Sequence, residues 1–102
     1  MARLIINTLP ARNSVTAFVA DESGVPATGL GTSNFRLASS PRGADGAELD
    51  IAGVTACGLR GFYLVDFTHK SNGAPRRGQY IFELIVEKGG DRGEALASVM
   101  LG

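Results

Sequence analysis

Gln79-Tyr80-Ile81-Phe82-Glu83-Leu84-Ile85-Val86-Glu87 is the stretch that decides the fold of this chain. Tyr80, Phe82, Leu84 and Val86 recur at every second position. That is the period of a strand, whose successive side chains point to opposite faces. The scheme repeats on either side: Tyr63, Val65 and Phe67 line one face of 61–68, and Ala95, Ala97, Val99 and Leu101 are in phase along 94–101. Between the last two segments, Gly89-Gly90-Asp91-Arg92-Gly93 is a connection of hairpin length.

Further out, 3–8 reads as a strand ended by Pro10, and 14–20 as another with Val15, Ala17 and Val19 at period two. Asp21-Glu22-Ser23-Gly24 supplies a turn, and 25–31 is loop-like. A strand over 34–38 carries Phe35 and Leu37 on one face and is ended by Pro41 and Gly43. Leu49 and Ile51 alternate in a short strand over 47–51, and 52–58 has room for at most a helical turn. No window holds an apolar stripe at helical spacing for three turns. Strands joined by short turns, without crossover helices, form antiparallel sheets. About seven of them in a chain of 102 residues predict one domain built as an all-β sandwich, with a small closed barrel as the alternative.

Hydrophobic residues at 44% and charged residues at 20% mark a globular chain. Ten basic and ten acidic residues cancel, so no net field draws the chain to nucleic acid or to a membrane surface. Cys57 is the sole cysteine, which forbids an intramolecular disulfide and leaves stability to the core. The apolar run Leu4-Ile5-Ile6 is too short for a signal peptide or a membrane span, so the expected location is the cytoplasm.

Two stretches carry a resemblance. Val19-Ala20-Asp21-Glu22-Ser23-Gly24-Val25-Pro26-Ala27-Thr28-Gly29-Leu30, with Asn34-Phe35-Arg36-Leu37 after it, resembles the strand-turn-strand of bacterial and phage immunoglobulin-like domains of the invasin or virion-associated kind. Gly61-Phe62-Tyr63-Leu64-Val65 with Gly78-Gln79-Tyr80-Ile81-Phe82 resembles the paired glycine-led aromatic strands near their end. The resemblance implies an immunoglobulin-like antiparallel β-sandwich, with Tyr80 placed like a tyrosine corner that bonds back to nearby backbone. It implies a virion location after synthesis in the host cytoplasm. Unlike antibody domains, the chain has neither paired cysteines nor tryptophan.

Chemistry-bearing groups are sparse. His69 is the only histidine, with Lys70, Ser71 and Asn72 beside it, and nothing in the sequence brings Cys57 to it. One histidine and one cysteine cannot supply the usual four nitrogen or sulfur ligands of a zinc site. Asp45, Glu48 and Asp50, or Asp21 with Glu22, lack the spacing of a calcium loop. Gly29-Leu30-Gly31 lacks the lysine and context of a phosphate loop. The expectation is no enzyme, no metal and no cofactor.

The second face of the late strands is more informative. Period two sends Ile81 and Ile85 outward among Glu83 and Glu87, Phe62 and Leu64 outward from the strand before, and Leu96 and Met100 outward from the last. These six side chains would form one apolar patch if their strands are neighbours, and monomers seldom expose large patches without using them. The competing reading is that a loop holding Leu59 crosses this face. Arg76 and Arg77, joined by Lys70 and Arg42, form the one basic cluster, which could assist docking. The chain is therefore expected to be a non-catalytic structural or interaction module that docks onto a protein partner or onto copies of itself as a homo-oligomer. A phage capsid decoration or tail-associated protein is the concrete form that the resemblance implies. The alternative is a ligand- or carbohydrate-binding adhesion module using the loops that contain Asn34, Asn72 and Tyr63.

Overall fold

The computed structural model describes residues 3–38, 49–69 and 78–101. Seven strands are present among them: β1 (Leu4–Pro10), β2 (Ser14–Asp21), β3 (Phe35–Leu37), β4 (Leu49–Ala56), β5 (Phe62–His69), β6 (Gly78–Lys88) and β7 (Asp91–Leu101). They form two antiparallel sheets, in the orders β1-β2-β5-β4 and β3-β6-β7. This division, first-second-fifth-fourth against third-sixth-seventh, is that of a constant-type immunoglobulin sandwich.

The core follows from the alternation. Val15, Ala17 and Val19 of β2, Tyr63, Val65 and Phe67 of β5, and Tyr80, Phe82, Leu84 and Val86 of β6 are all buried between the sheets. Aromatic pairs bridge the two layers: the ring centroids of Phe67 and Phe82 are 5.0 Å apart, and those of Phe35 and Tyr63 are 5.6 Å apart. Each pair is tilted, the arrangement that aromatic quadrupoles favour. The Tyr63 hydroxyl also ties the segment between β2 and β3 to the core, donating to the Ala27 carbonyl at 2.7 Å and accepting from the Leu30 N–H at 3.3 Å. Tyr80 is fully buried at the start of β6, but the hydroxyl seen fastening this loop belongs to Tyr63.

Three local features depart from the pattern in the sequence. First, β4 continues to Ala56, through the segment expected to hold a helical turn, and the helical content of the described residues is a 3-10 turn at Thr32–Asn34. The cause is a bulge: the register with β5 shifts between Ile51 and Gly53, so Ile51 and Val54 both face inward although three positions separate them. Second, β7 begins at Asp91, because the turn after β6 is only Gly89-Gly90. Their φ values of 57° and 93° meet the demand of a two-residue turn with positive φ at both positions. Third, β1 reaches across to β7, through parallel bridges at Arg3–Arg92 and Arg12–Met100, and closes one side of the sandwich.

Candidate docking surface

The three-stranded sheet turns one face to the core and the other away from it. Register defines the outer face of β6 and β7 as a ladder of facing pairs: Gln79 with Met100, Ile81 with Ser98, Glu83 with Leu96, Ile85 with Glu94 and Glu87 with Arg92. Its first three rows hold three large apolar side chains well exposed, Ile81 at 59%, Leu96 at 74% and Met100 at 47%. Side chains diagonal to one another on a sheet are about 7–8 Å apart at their backbones, within reach of long side chains. Ile81, Leu96 and Met100 thus ring the small Ser98 as a single patch.

A cleft of about 230 Å3 adjoins the patch, lined by Pro10, Ala11, Gln79, Ser98, Val99 and Met100. Its wall on the far side comes from the end of β1, held against β7 by the Met100 N–H donating to the Ala11 carbonyl at 3.2 Å and the Asn13 N–H donating to the Met100 carbonyl at 2.7 Å. Further along the face the character changes. Arg36 of β3 donates from Nε and Nη2 to Glu87 Oε1, both at 2.9 Å. Arg92 and Glu94 pair at 3.5 Å. The apolar rows are therefore uncharged except for Glu83, and the charged rows neutralise themselves.

Ile85 is not part of the patch. Although alternation points it outward, it is only 2% exposed. It lies in the middle strand, with Arg36 opposite on one side and Glu94 on the other. Because Arg36 reaches along the face to Glu87, its aliphatic stem runs beside Ile85. Ile81 has no such cover among the described residues, since the pairing of β3 with β6 ends at Leu37–Leu84 and one further bond from the Ala38 N–H to the Glu83 carbonyl.

Phe62 and Leu64 do face outward, but on the opposite side of the molecule, because β5 belongs to the four-stranded sheet. The single patch spanning β5, β6 and β7 is thereby corrected. Phe62 stacks beside Phe18 with centroids 4.7 Å apart, and Leu64 sits between Thr16 and Thr55. Ile5 and Leu9 of β1 share that second outer face and are exposed, a feature that the same alternation read along β1 would have revealed. Leu59 is 68% exposed and covers neither face. Arg76 and Arg77, with Lys70, Arg42, Asn72, Asp45 and Glu48, lie outside the described residues.

Other proposed chemistry finds little geometry. Cys57 is exposed, and its N–H donates to the Phe62 carbonyl, whereas His69 pairs with Leu49 at the other end of the same ladder. Seven residue steps along β5, from Phe62 to His69, separate those ends, about 23 Å at the rise of a strand, so the two do not form a catalytic pair. Asp21 uses Oδ1 to accept the N–H groups of Ser23 and Val25, and Asp50 accepts the N–H of Ile51, the turn and backbone roles common for aspartate. Among the described residues no group of three or more His, Cys, Asp or Glu side chains is placed to hold a metal ion. Asn34 and Tyr63 are engaged internally: Asn34 accepts from the Gly31 N–H and donates to the Glu87 carbonyl, each at 2.8 Å, and Tyr63 fastens the loop as described. No helix among the described residues is long and apolar enough to cross a membrane.

No family model, curated protein or solved structure matches this chain.

Proposed function

We propose that this chain is a non-catalytic structural module that docks onto protein through the outer face of β6 and β7. The observation that carries the reading is the exposed triad of Ile81, Leu96 and Met100 on two long, paired strands. A rigid sheet presents such side chains with little entropy to lose, and a contact centred on large apolar groups with a polar rim is the usual anatomy of a protein interface. Glu83 and Gln79 supply that rim.

The sheet edges favour faces over strand addition as the route to a partner. The β4 edge is interrupted by its bulge, and two of its N–H groups are taken up by side chains, Val54 by Thr32 Oγ1 at 3.3 Å and Ile51 by Asp50 Oδ1 at 2.9 Å. β3 is only three residues long, and β7 is shielded by the end of β1. These are the devices that keep edges from pairing with other chains. The resemblance of 19–30 and 34–37 to phage immunoglobulin-like domains supports a virion component, a capsid decoration or tail-associated protein, as the setting.

Site-specific photocrosslinking in a phage-producing host tests this. A photoreactive residue at Leu96 is expected to yield a discrete product with a protein of the purified particles, a second copy of this chain included, and one at the exposed loop residue Val25 is not. Identical products from both positions, or none in the particles, would overturn the reading.

A further inference from the structure

Given the docking function proposed above, the symmetry of this face selects its occupant. Consider two copies stacked outer face to outer face, related by a two-fold axis that lies between the sheets, runs across the strands and passes over the Ile81–Ser98 pair. β6 then crosses its counterpart in the opposite direction, and so does β7. Each row is exchanged with the row on the other side of the axis, as an isologous contact requires.

Every side chain in the overlap meets a match. Ile81 meets Ile81 and Ser98 meets Ser98 on the axis itself. Leu96 meets Met100, and Met100 meets Leu96. Glu83, the one charge in these rows, meets the Gln79 amide, which can donate to a carboxylate, and not the other Glu83. Leu96 is the most exposed large apolar side chain of the described residues, and its counterpart Met100 borders the 230 Å3 cleft, so a projection is set over a hollow twice in the same contact. A stacking with the axis along the strands would instead seat Glu83 on Leu96 and leave its charge without a donor.

We infer that the partner of the β6–β7 face is a second copy of this chain, held in an antiparallel two-fold stack centred on Ile81 and Ser98. The formal net charge of zero leaves no long-range repulsion against self-association. Three rows over two strands cover less than the ~800 Å2 per partner of a standard stable contact, so the dimer is of the weak, transient class.

Because Ile81 sits on the axis, it provides a test particular to this arrangement. Sedimentation equilibrium of the full chain up to about 1 mM is expected to show monomer and dimer, with Ile81→Asp and Ile81→Lys each weakening association at least about tenfold. An equimolar mixture of the two variants is expected to recover the dimer, since opposite charges then face one another at the axis. Leu96→Asp, which keeps Ile81, is expected to dissociate the dimer as well, and circular dichroism verifies that each variant is folded. A wild-type chain that stays monomeric, a dimer indifferent to these variants, or a mixture that does not recover association would overturn the inference. The crosslinking from Leu96 to virion proteins decides the docking reading separately.

Discussion

Gly93 of β7 lies against the backbone of Leu4 in β1, so closely that a Cβ at position 93 would collide with the Leu4 carbonyl oxygen and stand 2.9 Å from the Leu4 Cβ. This approach joins a strand of one sheet to a strand of the other and closes that side of the sandwich. The obstacle is backbone, which cannot move aside as a flexible side chain could. Gly93→Ala is therefore expected to lower the unfolding free energy by about 2–3 kcal/mol, read as a lower urea midpoint. A midpoint equal to wild type would show that β1 is not fastened here.

Tyr63 offers a second test of how the loop between β2 and β3 is held. Removing its hydroxyl leaves the Ala27 carbonyl and the Leu30 N–H without their partner, while the ring still packs against Phe35. Tyr63→Phe is expected to cost about 1–2 kcal/mol and to raise amide exchange at Leu30. Unchanged exchange at Leu30 would remove the hydroxyl from this role.

Two isoleucines four positions apart on one face are predicted to behave oppositely. Ile85→Ala empties a buried site and should cost about 2–4 kcal/mol. Ile81→Ala, at an exposed site, should change monomer stability by no more than about 0.5 kcal/mol. Denaturation at low protein concentration separates the two, and equal costs would contradict the division of the face into a covered and an open half.

Arg36 is expected to stabilise through its stem more than through its charge. Its ion pair with Glu87 is about half exposed on both sides, the class of pair that contributes at most about 1 kcal/mol. Arg36→Met should therefore be nearly neutral, whereas Arg36→Ala should be clearly destabilising as Ile85 loses its cover. High salt that destabilised the wild type as much as Arg36→Ala would point to the charge instead.

The sequence discloses the parts of this molecule whose pattern is local. Alternation in 79–87, 61–68 and 94–101 places β5, β6 and β7 to within two or three residues, and the two antiparallel sheets agree with the all-β sandwich of about seven strands that the pattern implied. β4 is legible only as far as Ile51, because its bulge at Ala52 interrupts the period that would reveal the continuation to Ala56. The candidate face is legible only in part for a different reason. Which side of a strand a residue occupies is a local property, so Ile81, Leu96 and Met100 are correctly read as outward. Which strands lie side by side is not local, and Phe62 and Leu64 go to the other sheet. The contrast between Ile81 and Ile85 depends on where the short β3 stops, a fact that β6 itself does not contain.

On the two-fold inference, the open half of the β6–β7 face is where this chain meets a second copy of itself. Methyl NMR with a soluble paramagnetic probe measures this most directly, residue by residue. Between about 10 µM and about 1 mM protein, a span that brackets a weak dimer, the methyls of Ile81, Leu96 and Met100 should become shielded while those of Leu59 and Val25 stay as accessible as before. Methyls of Leu96 and Met100 equally accessible at both concentrations, or shielding that appears at Leu59 in their place, would contradict it.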